Sequence, residues 1–164
     1  MRNALVIVSS FLLLVAAAPK RDWKDVEQAL GRAGTLLPGD VYKVSFPRSD
    51  LTVMLDGVTI KPALALGSWA AFKEIGGGHV MAMGDLVLLE SEVTPVMDAL
   101  QKGGIEQSAL HNHLIGESPH VMYMHFDAVL DDLLRARHGE LVCAAGDFSG
   151  DADDAVEVRG GEID

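Results

Sequence analysis

The chain has 164 residues, with 24 acidic groups against 13 basic ones and a formal net charge of −11. No basic patch or stripe stands out for a phosphate backbone to grip, which argues against nucleic acid as a partner. A single cysteine, Cys143, rules out an intrachain disulfide, so packing must hold the fold, with a metal or a partner as the other sources of stability.

The first segment reads as a secretory leader. Arg2 gives a positive n-region, residues 4–15 an apolar h-region of ordinary length, and Ala16, Ala17 and Ala18 small residues at a cleavage point. The run is too short to span a bilayer, which takes about 20 apolar residues. Cleavage after Ala17 makes residues 1–17 a signal peptide. No cysteine lies near that point, so no membrane anchor is expected after cleavage, and the protein is placed in the periplasm or outside the cell. Residues 20–138 then form a single α+β domain. Residues 139–164 form an acidic, weakly ordered tail, since residues 127–164 carry 11 acidic groups against 3 basic ones.

Within the domain, Trp23, Val26, Ala29 and Leu30 recur at helical spacing, and Asp22 can cap a helix over 22–32. Residues 41–46 alternate at period two until Pro47 interrupts. Runs at 51–55 and 58–60 flank Asp56-Gly57, a strong hairpin signal. A second hairpin joins 63–72 to 79–89 through Gly76-Gly77-Gly78. No strand-Gly-x-Gly-x-x-Gly-helix arrangement surrounds that triple glycine, so no nucleotide cofactor is expected. Ser91 and Glu92 open a helix with Pro95 in its first turn, and Gly103-Gly104 ends it. Runs at 105–115 and 121–129 make a third hairpin, and 130–136 suits a short helix. Hairpins outnumber crossovers, so the fold class is α+β, a mainly antiparallel sheet built from hairpins with helices packed on one face.

Four of the six histidines, His111, His113, His120 and His125, lie within fifteen residues of one another. In a strand His111 and His113 share a face, as do Tyr123 and His125. Pairing Ile115 with Val121 sets His113 opposite Tyr123 and His111 opposite His125, neighbours about 5 Å apart. Three imidazoles suit a borderline divalent metal such as zinc, with an open position for water. His111, His113 and His125 are therefore the candidate ligands. Glu117 and Tyr123 are candidate catalytic groups, Glu117 as a further ligand or a base.

Other readings compete. The spacing His111-x-His113-x-x-x-Glu117 matches the first part of a cupin metal motif, but the following glycine and the second motif are missing. His79, Met81 and Met83 share one strand face and Met122 and Met124 another, a pattern that suits Cu(I) or ordinary core filling. Ser108 and Ser118 lack the glycine context of a nucleophile elbow.

Several stretches together resemble the LppY/LpqO family, an exported bacterial domain of unknown function named for mycobacterial lipoproteins. They are Arg48-Ser49-Asp50-Leu51, Leu55-Asp56-Gly57, Gly84-Asp85-Leu86-Val87-Leu88, Glu92-Val93-Thr94-Pro95-Val96, Ala109-Leu110-His111-Asn112-His113-Leu114 and Tyr123-Met124-His125-Phe126. The resemblance implies an exported bacterial protein and no particular reaction. On its pattern His111, Asn112, His113 and His125 are the matching positions, whereas Glu117 and His120 fall in a variable loop. The chain departs from it in lacking the lipoprotein cysteine and in its acidic C-terminus. The leading expectation is thus an exported metal-binding domain, with hydrolysis as its candidate activity, acting on an unknown small molecule. The alternative is a noncatalytic small-ligand binding or interaction module with structural histidines.

Overall fold

Period-two alternation of apolar and polar residues marks the long strands, and each such segment forms one in the computed structural model, which describes residues 21–130, except that the 63–72 run begins as the short helix Pro62–Ala65 and becomes strand only from Gly67. The leader, most of the 130–136 segment and the acidic tail lie outside the described residues. In chain order the elements are α1 (Lys24–Ala29), β1 (Thr35–Leu37), β2 (Val41–Pro47), β3 (Val53–Leu55), β4 (Val58–Ile60), α2 (Pro62–Ala65), β5 (Gly67–Gly76), β6 (His79–Leu89), α3 (Glu90–Lys102), β7 (Glu106–Asn112) and β8 (Val121–Leu130). Six strands pair antiparallel in the order β1-β2-β5-β6-β8-β7, and β3 and β4 form a separate hairpin. The mainly antiparallel α+β reading holds.

The two sheet faces differ in what covers them. On one, Tyr42, Val44, Phe46, Ala70, Phe72, Val80, Ala82, Leu86, Leu88, Met124 and Phe126 pack with Trp23 and Val26 from the α1 segment and Val96 and Leu100 of α3. On the other, Val87, Val121 and Tyr123 pack with Val53, Ile60 and Leu66, carried by or adjoining β3, β4 and α2. Helices are therefore not gathered on one face as the sequence reading had them. A four-residue helix and a hairpin cap part of the opposite face and leave the rest of it open.

Local chemistry accounts for the joints. Asp56 and Gly57 both take positive φ, 51° and 79°, the geometry of a type I′ turn between β3 and β4. Gly76, Gly77 and Gly78 likewise sit at positive φ at the β5–β6 reversal. Helix α1 is shorter than the 22–32 expected; it stops at Ala29 where Gly31 turns left-handed, and Asp22 Oδ1 accepts the Lys24 N–H at 3.1 Å. Helix α3 starts one residue early, at Glu90, because Glu92 Oε2 accepts the Leu89 N–H at 2.7 Å. Pro95 consequently lies inside the helix rather than in its first turn.

Gly84 is a position only glycine can fill. A Cβ there would strike the Phe126 ring and come within 2.6 Å of the Trp69 carbonyl oxygen. The missing side chain lets Phe126 lie across β6, and the next residue, Asp85, points to the other face.

The β7–β8 ladder differs from the expected register by two residues: His111 pairs with Tyr123 and Ala109 with His125. A two-residue slip keeps every side chain on its expected face. Its cause is the intervening loop, in which Ser118 exchanges two 2.9 Å backbone hydrogen bonds with Met54 and Glu117 is buried. The chain thus turns toward β3 before the ladder reaches Ile115. A bulge between Gln107 and Ala109 completes the placement. Continuing the Glu106–Asp127 register past it would have put Leu110 opposite Tyr123 and turned His111 to the helix-covered face.

Candidate functional site

Cross-strand pairing lays one row of residues over five strands on the partly covered face: Ser45, Trp69, Asp85, His125 and Ala109. The adjacent row holds Val87, Tyr123 and His111. His125 and His111 are thus diagonal neighbours, and their Nε2 atoms lie 3.0 Å apart. His111 Nδ1 stands 3.0 Å from the Asn112 carbonyl oxygen. That oxygen only accepts, so Nδ1 carries the proton and the Nε2 lone pair faces His125. Metal-ligating imidazoles commonly have this arrangement, with the second nitrogen donating to a backbone carbonyl.

Asp85 is the residue that sequence reasoning missed. Its Oδ1 lies 3.8 Å from His125 Nε2 and is buried without a hydrogen-bond partner. Burial pushes its carboxyl above the ordinary value of 3.8, against the opposing pull of His125, His111, His113 and Lys43. One signal was in the sequence: Asp85 is the only Asp, Glu, Lys or Arg in the eleven residues of β6. Its partner could not be read there, because β8 follows α3 and β7 in the chain yet inserts beside β6.

His113 falls just beyond β7, where its ring packs on Tyr123 with centroids 4.2 Å apart. It therefore joins the cluster from the rim. The Tyr123 hydroxyl is buried with no hydrogen-bond partner. Burial first, then the charges of Asp85 and Glu117, push its pKa up to about 12, so it remains a phenol at neutral pH. Glu117 sits apart from the imidazole pair. Its Oε1 lies 3.1 Å from His120 Nδ1 and accepts the Val121 N–H at 3.3 Å, while Oε2 has no partner. His120 also contacts Asn112 Oδ1 at 3.2 Å, so Glu117, His120 and Asn112 form a loop network. The methionines do not collect into one soft set: Met124 is in the core, whereas Met83 is half exposed on the other face.

A groove of about 360 Å³ opens beside the cluster, lined by Lys43, Trp69, the 62–65 segment, His113 and Tyr123 among others. Its size suits a small molecule. Among the described residues no three His, Cys, Asp or Glu side chains are already drawn to one metal-ligating point, and no helix is long and apolar enough to cross a membrane.

Fold and site together define an antiparallel-sheet α+β domain with a histidine–carboxylate cluster at the end of an open groove. The chain belongs to the family described as Domain of Unknown Function (DUF1259), whose model matches residues 24–140. That span takes in β1 to β8 and every candidate site residue. No curated protein and no solved structure matches the chain.

Proposed function

We propose that this domain binds a divalent transition metal such as zinc through His111 and His125, with Asp85 as the third ligand. The observation that carries the reading is the orphaned Asp85 oxygen 3.8 Å from His125 Nε2, which in turn stands 3.0 Å from His111 Nε2. A buried carboxylate oxygen without a partner is costly, and a cation between it and the imidazoles relieves that cost. Zinc bonds of 2.0–2.1 Å at tetrahedral angles set donor atoms about 3.3–3.4 Å apart. The observed separations, 3.0 and 3.8 Å, lie within about 0.5 Å of that value, a side-chain adjustment. The third-ligand role passes from His113 to Asp85, and His113 takes a place at the groove wall.

Such a metal would polarise a bound oxygen and lower the pKa of its water. The chain's own residues would do the rest. Asn112 fixes the His111 tautomer through its carbonyl, and Tyr123 offers an un-ionised hydroxyl. Glu117, held by the loop, acts on the site through its charge. Hydrolysis of a small molecule is the reaction class this set suits best. The second reading, a noncatalytic small-ligand module, draws on the groove alone.

We further propose that the protein is exported, on the strength of Arg2, the 4–15 h-region and Ala16 to Ala18. Kinship with the LppY/LpqO proteins is proposed from the motifs inside the matched span.

Untagged protein equilibrated with zinc and dialysed should retain one metal per chain by elemental analysis. His111→Ala and His125→Ala should each lower the affinity at least about 100-fold, more than the 10- to 100-fold typical of losing a group that only orients a ligand. Stoichiometric zinc that survives both replacements would place the metal elsewhere and end the reading.

A further inference from the structure

We infer that the groove beside the cluster receives a small organic anion with an apolar body, its charged end on Lys43 and its other end toward His113 and the imidazole pair. This deepens the metal-site reading and relies on it only for what meets the far end of the ligand.

Three observations carry the inference. First, Lys43 supplies an available cation. Its Nζ stands 4.3 Å from the Trp69 ring centroid, and no described carboxylate lies within ion-pair distance of it. In a chain of net charge −11, a lysine left to an aromatic ring is a place where an anion is attracted rather than repelled.

Second, the walls between Lys43 and His113 are mainly apolar, with Ser45 and Ser68 as their polar members. Pro62, Ala63, Leu64 and Ala65 line one side and Trp69 contributes an indole. Leu64 is 74 % exposed. A ligand body lying on it would take that apolar area out of water.

Third, the register fixes the span. Lys43 reaches along β2 to lie over the Trp69 ring, and Trp69 stands two strand spacings from His125 through Asp85, or roughly 10 Å. A ligand anchored by its anion at Lys43 therefore needs a body of several carbon atoms to reach His113. A small inorganic anion would sit at one end only. The neighbouring pairs Ser45–Trp69, Trp69–Asp85 and Asp85–His125 make the path from anion end to imidazoles continuous.

The test uses the two tryptophans, which lie on opposite faces of the sheet. Trp23 stacks on Tyr42 in the helix-covered core, centroids 5.5 Å apart, and serves as an internal reference for Trp69. Uniformly ¹⁵N-labelled chain is titrated with 3-phenylpropionate and with its neutral counterpart 3-phenylpropan-1-ol, once in EDTA and once with saturating zinc. The indole N–H signals are followed, and Trp69→Phe assigns them. The acid should shift the Trp69 signal saturably with a Kd of about 1 mM or tighter, and leave Trp23 in place. The alcohol, and the acid on Lys43→Ala, should bind roughly tenfold more weakly, a loss that corresponds to about 1.4 kcal/mol. Lys43→Arg should restore binding of the acid.

A motionless Trp69 signal in both media would overturn the inference, as would equal affinity for acid and alcohol or a Lys43→Ala chain that binds like the parent. Its failure and that of the metal reading are separable. Anion binding in EDTA by a chain that takes up no zinc sustains the groove and ends the metal site; zinc uptake with a motionless Trp69 does the reverse.

Discussion

Replacing Arg48 with Met should cost the fold about 2–4 kcal/mol, somewhat less than the roughly 3–5 kcal/mol for breaking a fully buried ion pair, because the carboxylates left behind are 39 % exposed at Asp50 and 24 % at Glu92. The Arg48 side chain is 3 % exposed and lies between two carboxylates. Its Nη1 and Nη2 donate to Glu92 at 2.8 and 3.0 Å, its Nε and Nη2 to Asp50 at 3.0 and 2.8 Å, and Nη1 also to the Val87 carbonyl at 2.8 Å. One guanidinium thus ties the start of the 48–66 segment to the first turn of α3 and to the sheet. Lysine cannot span these groups with a single ammonium, so Arg48→Lys should recover only part of the loss. Urea denaturation checks both values. A loss below about 1 kcal/mol for Arg48→Met would mean that the network holds nothing together.

The same network sets an acid limit. Hydrogen bonding to Arg48 holds the Asp50 carboxyl below its ordinary 3.8. A carboxylate with a lowered folded pKa contributes fully above the unfolded value, and that contribution disappears as pH falls through the folded value. Stability of the parent should therefore fall below pH 3.8, and Arg48→Met should lose the part of that slope owed to Asp50.

Asp85→Asn should have opposite effects on stability and on metal affinity. In EDTA the variant should be more stable than the parent by about 1 kcal/mol, because it removes a buried charge whose oxygen has no partner. With zinc present it should lose at least about 100-fold in affinity, because the amide is a much poorer ligand than the carboxylate. A residue kept only for folding would not behave this way. Denaturation with and without zinc reads both effects, and a variant that is destabilised in EDTA would make Asp85 a structural residue.

Local patterns carried far in the sequence. Asp56-Gly57 marked its turn, Gly76-Gly77-Gly78 its reversal, and alternation put His111, Tyr123 and His125 on one face although the assumed register was off by two residues. That face survived because a slip of two restores the pleat. What the sequence concealed depends on contacts between distant segments. The pairing of Asp85 with His125 requires β8 to lie between β6 and β7, and the loop that shortens β7 is held by a Met54–Ser118 bridge to another sheet. Lys43 and Trp69 read as ordinary strand residues; only the β2–β5–β6 ladder brings them to the cluster. Helix placement failed for a related reason, since α2 has four residues, too few to show a period.

Whether His111, His125 and Asp85 hold a metal is decided by an anomalous difference map at the zinc edge from crystals of the zinc-loaded chain. A single peak is expected within about 2.0–2.2 Å of His111 Nε2, His125 Nε2 and an Asp85 carboxylate oxygen, on the side of the sheet that carries Trp69. A peak held by other residues, or zinc-soaked crystals with no peak between the two imidazoles, would contradict that expectation.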